Sequence, residues 1–99
     1  MDEKKYIDLA FKEALKAYRQ NEVPVGCVIV RNGEIIAKAY NKREQKKNAL
    51  CHAEIICINK ACKKLGEKFL DGCEIYITLE PCIMCIGAII QARIGKVVY

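Results

Sequence analysis

The residues with the chemistry of a metal centre fall in two short stretches, His52-Ala53-Glu54 and Pro81-Cys82-Ile83-Met84-Cys85. They hold the only histidine of the chain, an acid two positions after it, and a Cys-x-x-Cys. One imidazole and two thiolates leave the fourth tetrahedral position of a zinc ion open, which separates catalytic sites from closed structural ones. Zinc in an open site lowers the pKa of a bound water from about 15.7 to about 7. Glu54 is not needed as a ligand and is left free to carry protons. Cys82 and Cys85, three apart at a helix start, share one face, where the helix N-terminus favours thiolate charge. His52 and Glu54 diverge in mid-helix, but in a first turn viewed end-on both can point at an ion ahead of the helix. The spacing therefore predicts two helix N-termini converging on one zinc, with His52, Cys82 and Cys85 as ligands and Glu54 as proton carrier.

Each motif alone has an ordinary explanation. A lone histidine near an apolar helix is usually structural, and a lone Cys-x-x-Cys is often a redox pair. Their conjunction with Glu54 and Pro81, in strand-to-helix contexts, favours catalytic zinc, since a redox pair needs neither His52 nor Glu54.

Positioning these groups requires a framework. Tyr6, Ile7, Ala10, Phe11, Ala14, Leu15 and Tyr18 recur at three- and four-residue spacing, which predicts an amphipathic helix over 3–20 covering one face of a sheet. After Pro24, Val25 to Arg31 is a β-branched run joined through Asn32-Gly33 to Glu34 to Tyr40, a strong hairpin signal. A second helix is expected over 51–65, opened by His52 and stopped by Gly66. Cys73 to Leu79 reads as a strand, Cys82 to Arg93 as a third helix after Pro81, and a last strand begins near Lys96. The order αββαβαβ implies parallel crossovers and a three-layer α/β/α sandwich on a mixed sheet. The third helix is apolar almost all round, so something besides the sheet must cover it: a C-terminal tail or a second copy of the chain.

Ninety-nine residues make one domain, and a chain this short buries only about two-thirds of its unfolded surface. With 53% apolar and 29% charged residues it belongs with globular chains. Its longest apolar run, Ile83 to Ile90, is too short to span a membrane. Met1-Asp2-Glu3-Lys4-Lys5 contains no signal core, from which a cytoplasmic protein is expected. Seven cysteines, an odd count, suit free thiols in a reducing compartment, with Cys27, Cys57, Cys62 and Cys73 as small core side chains. The net charge of +5 favours a polyanionic partner without proving one. Its densest stretch, Lys42-Arg43-Glu44-Gln45-Lys46-Lys47, could contact phosphates at the mouth of the site or be an inert solvated loop.

The spacing H-x-E followed by P-C-x-x-C is the known signature of the zinc nucleobase deaminases. Together with Glu22-Val23-Pro24-Val25-Gly26, Tyr40-Asn41, Thr78-Leu79-Glu80 and Ala92-Arg93-Ile94-Gly95-Lys96-Val97-Val98, it makes nearly the whole chain resemble the bacterial tRNA adenosine deaminases of the cytidine/deoxycytidylate deaminase superfamily. The resemblance implies the cytidine deaminase type of sandwich, a homodimer, Asn41 on the base edge with its amide able to donate and accept at once, and a hydrogen bond from the Ala53 N–H to the base. It implies only weakly a pocket wall at Pro24, Val25 and Gly26. Two departures stand out. Family members continue past the strand near Lys96, so residues 1–99 are expected to be a deaminase domain without the C-terminal segment. Cys51 stands where the family more often has a small residue such as alanine.

The activity implied is hydrolytic deamination of the wobble adenosine of a tRNA anticodon loop, splayed out to enter the pocket. Glu54 would pass a proton from water to the ring nitrogen as the amino-bearing carbon is attacked, then help protonate the departing ammonia. The rival readings are a deaminase of free guanine, cytosine or a nucleotide, and a non-catalytic zinc-stabilised form of the same fold.

Overall fold

In the computed structural model, which describes residues 2–99, the apolar spacing near the N-terminus folds as α1 (Asp2–Arg19). Met1, the first residue of the expected domain, lies outside the described residues. The helix seats its small residues on the sheet: Ala10, Ala14 and Ala17 are buried, with Tyr6 at its first turns. Phe11, Leu15 and Tyr18, expected in the same stripe, are exposed. The reason is a close approach. A Cβ on Gly26 would lie 2.0 Å from the Ala10 carbonyl oxygen and 2.4 Å from the Ala14 nitrogen, so only small side chains fit between helix and strand, and the large ones are left on the outer flank.

Strands β1 (Gly26–Arg31) and β2 (Glu34–Tyr40) form the expected hairpin. Asn32 and Gly33 both adopt left-handed backbone, φ 53° and 77°, as a two-residue turn matched to strand twist requires. The pairing runs from Arg31↔Glu34 to Gly26↔Tyr40 with an irregularity at Ile29/Val30. Helix α2 (Ala53–Leu65) follows, stopped by Gly66 in the left-handed region, φ 65°. Then come β3 (Cys73–Ile77), α3 (Ile83–Gln91) and β4 (Lys96–Val98).

The sheet order is β2-β1-β3-β4, with β1 antiparallel to both neighbours and β3 parallel to β4. The strands on either side of β1 thus run the same way, and α2 carries the chain across β1 between them. That central strand is buried on both faces, which is why Cys27-Val28-Ile29-Val30 is apolar without alternation. Val28, Val30 and Tyr76 meet Tyr6 and Ala10 of α1 on one side. Cys27, Ile29, Ile75 and Ile77 meet Ala53, Cys57, Ile58 and Ala61 of α2 and Ile89 of α3 on the other. Three layers result.

Three expected element ends shift, the first being β3, which stops at Ile77, short of Leu79. Helix α2 begins at Ala53 because His52 is extended, φ −70° and ψ 152°. Helix α3 stops at Gln91, short of Arg93, which turns left-handed (φ 63°) as the Arg93 and Ile94 N–H groups close back on the carbonyls of Ile90 and Ile89. The Arg93 guanidinium lies 3.7 Å from the centroid of the Phe69 ring, a cation–π contact at a position where glycine is usual. The apolar character of α3 exceeds its burial within the chain: Cys85 and Ile89 face the core, whereas Ile83 is 92% and Ile90 67% exposed. Among the described residues no helix is long and apolar enough to cross a membrane.

Candidate metal centre and cleft

Two crossovers deliver the candidate ligands. His52 is the N-cap of α2 and Cys82 the N-cap of α3, and neither side chain caps its own helix. Both turn toward a common point. His52 Nδ1 lies 3.6 Å from Cys82 Sγ and 3.6 Å from Cys85 Sγ. Zinc–nitrogen and zinc–sulfur bonds of about 2.0–2.1 and 2.3 Å at a tetrahedral angle would put N and S about 3.6 Å apart. The donor set and its spacing therefore fit zinc as they stand. Among the described residues His52, Cys82 and Cys85 form the one group of three or more such donors close enough for an ion. Cys51, half-buried beside His52, is not in it.

The thiols are unequal. Cys82 is exposed and Cys85 fully buried. Burial pushes the Cys85 thiol well up, and the Glu54 carboxylate beside it pushes further. A raised thiol keeps its proton at neutral pH, so binding a cation as thiolate must expel it. Titrating zinc into the metal-free protein in weak buffer near pH 7 should release between about one and two protons per ion, and apparent affinity should fall as pH is lowered. Uptake without proton release, followed with a pH indicator, would mean that Cys85 is not a ligand.

Ahead of the two N-termini opens a cleft of about 170 Å³, lined among others by Val25, Asn41, His52, Ala53, Glu54 and Leu79. Glu54 is 4% exposed and presents its carboxylate next to Cys85. As the first residue of α2, Ala53 has an N–H with no intrahelical acceptor, and it lines the cleft. Asn41, 5% exposed, accepts the Arg43 N–H on Oδ1 at 3.0 Å. The NH₂ group and the second lone pair of Oδ1 are the positions left to a ligand.

Of the weakly expected wall, Val25 lines this cleft, Pro24 lies on the outer flank of α1, and Gly26 serves the helix–sheet contact. The Gly26 N–H donates to Thr78 Oγ1 at 3.1 Å and the Thr78 N–H to the Gly26 carbonyl, which fixes the loop leading to Cys82. Cys27, Cys57 and Cys73 are buried core side chains as expected, whereas Cys62 is only half-buried. Arg43 comes from the basic stretch expected at the mouth of the site, whereas Val23, Leu79 and Glu80 also line the cleft without having been singled out from sequence. Flanking position was the only signal for Val23 and Leu79. The sequence reading also passed over Glu22, a carboxylate only 5% exposed.

A model of the cytidine and deoxycytidylate deaminase zinc-binding region matches residues 1–99. The tRNA-specific adenosine deaminase of Aquifex aeolicus is 48% identical over 99 residues, 100% of this chain and 66% of that protein. Its counterpart in Bacillus subtilis is 51% identical over 94 residues, 95% of this chain and 58% of that protein. The chain spans about three-fifths of the length of the curated relatives it matches. A structure from work on A-to-I editing by tRNA:A34 deaminases at the wobble position superposes with a TM-score of 0.95 at 40% identity, covering 98% of this chain and 75% of that one. Guanine deaminase from Bacillus subtilis superposes with a TM-score of 0.93 at 39% identity, covering 97% and 62%. A family match that takes in residues 1–99, on a fold held in common with these structures, leads to one assignment: the chain belongs to the zinc-binding cytidine and deoxycytidylate deaminase family.

Proposed function

We propose that this chain is a zinc-dependent hydrolase that deaminates adenosine to inosine at the wobble position of tRNA anticodon loops. The observation that carries the reading is 48–51% identity to tRNA-specific adenosine deaminases over 95–100% of the chain. In this reading residues 1–99 act as one deaminase domain. His52, Cys82 and Cys85 hold the ion, which supplies a Lewis acid that makes water nucleophilic at neutral pH. Glu54 accepts the proton of that water, delivers it to the ring nitrogen and returns a proton to the leaving amine, so that water and adenosine become inosine and ammonia. The Asn41 NH₂ and the Ala53 N–H hold the base edge, and burial of Glu54 keeps bulk water from competing for its proton.

The same reading makes the protein cytoplasmic and a homodimer, with the bare Ile83, Ile86 and Ile90 face of α3 as the surface a second copy would cover. Sedimentation should then give twice the chain mass, and Ile90→Asp should return it to one.

Incubating the zinc-loaded protein with an anticodon stem-loop and weighing the RNA for inosine tests the activity. A second reading, deamination of free guanine, is favoured by the 39% identity to the Bacillus subtilis guanine deaminase. The two separate on salt. Lys42, Arg43, Lys46 and Lys47 crowd the loop beside the cleft, so stem-loop binding should weaken steeply from 50 to 200 mM salt, whereas binding of a neutral base should not. Xanthine from guanine with no inosine from the stem-loop would overturn the first reading.

A further inference from the structure

Glu22 has no part in the chemistry above, yet it is an almost fully buried acid next to the most basic loop of the chain. Its own backbone is pinned by the end of α1. Asn21 turns left-handed (φ 62°), and the Glu22 N–H closes on the Ala17 carbonyl at 3.0 Å. From this fixed point the carboxylate reaches across 22 and 23 residues of sequence and accepts two consecutive backbone N–H groups, Glu44 at 3.0 Å and Gln45 at 2.8 Å, one on each oxygen. Those bonds sit immediately after Asn41 and Arg43, both of which line the cleft and are joined to each other through Oδ1 and N–H. A second strap runs alongside, from Gln45 Nε2 to Gln20 Oε1 and from Gln20 Nε2 to the Tyr40 hydroxyl.

We infer that Glu22 is a positioning residue: it anchors the loop after β2 to the end of α1 and thereby holds Asn41 and Arg43 at the rim where substrate enters. Two features argue for more than general stability. Both oxygens are spent on adjacent amides of a segment whose own backbone–backbone bonds are local, among them Lys46 N–H to Lys42 O and Asn48 N–H to Arg43 O, so the loop is fixed to the body of the protein by Glu22 and, beside it, by the exposed Gln45–Gln20 side-chain strap. A buried negative charge there also opposes Lys42, Arg43, Lys46 and Lys47, whose mutual repulsion would otherwise open the loop. Burial alone would raise the Glu22 carboxyl, but the two amides, the Gln45 side chain and the nearby Arg43 charge outweigh it and hold the group below its usual range.

The inference rests on reading the cleft as the substrate site, and the test keeps the two apart. Glu22→Gln preserves shape but offers one acceptor and one donor to two N–H groups, so one bond must be lost. The expected result is amide exchange at Glu44 and Gln45 at least about tenfold faster, KM for the stem-loop up about tenfold, kcat within about twofold, and zinc content unchanged. Glu13→Gln is the control: Glu13 is equally buried, but its recorded partner is Lys16 on its own helix, and the change should leave both exchange and KM alone. If Glu22→Gln leaves the two amides protected, or lowers kcat with KM unchanged, the positioning role is overturned. Should that variant not fold, Glu22→Asp keeps the charge, shortens the reach by one methylene and reads the same quantities. If the unmodified protein forms no inosine, the deaminase reading falls, while the exchange rates still decide whether Glu22 holds the loop.

Discussion

Glu54→Gln should lower turnover by about 10²–10⁴-fold or more while the protein still holds its zinc. The carboxylate is 4% exposed, lies beside Cys85 without joining the donor group, and lines the cleft with His52 and Ala53. Glutamine keeps the volume and removes only the capacity to take up and release a proton. The charge of Glu54 also helps hold the Cys85 thiol up, so its removal should bring that thiol down. Two measurements on one sample decide the matter, metal content and inosine yield. Zinc retained with turnover intact would make the ion structural and strip Glu54 of its role; zinc lost together with turnover would make Glu54 part of the ligand set.

Gly26→Ala should cost more than about 4 kcal/mol, the range that marks a named structural fault. The added methyl would stand 2.0 Å from a backbone oxygen and 2.4 Å from a backbone nitrogen of α1, and backbone cannot swing aside as a side chain can. Either α1 lifts off the sheet or β1, the strand between β2 and β3, is displaced. At about 4–8 °C per kcal/mol for a domain of this size, the thermal midpoint should fall by tens of degrees. Because Gly26 exchanges hydrogen bonds with Thr78, four residues before Cys82, any protein that does fold should also bind zinc less tightly. A midpoint within about 5 °C of the unmodified protein would show that α1 does not sit where the alanine face implies.

Much of this was legible beforehand because it depends on local rules. Asn32-Gly33 dictates a two-residue turn, Gly66 supplies the left-handed stop, and a histidine and a Cys-x-x-Cys at helix starts must project their side chains ahead of those helices. What escaped depends on contacts far apart in sequence. Nothing near Phe11 or Leu15 tells that Gly26 draws the helix so close that only alanines fit. Asn41 accepts a hydrogen bond from the backbone of a neighbour two residues on, which composition does not foretell. The partners of Glu22 lie more than twenty residues away and are backbone groups, so no side-chain pattern marks them. Arg93 takes a conformation usual for glycine while its guanidinium lies over the ring of Phe69, a partner distant in sequence.

The two N-cap ligands stand 30 residues apart, each at the mouth of a different crossover. An ion held between them acts as a removable cross-link, closing a loop that includes α2 and β3 and stabilising the folded chain by RT ln(1 + [Zn]/Kd). The thermal midpoint then becomes a gauge of free zinc.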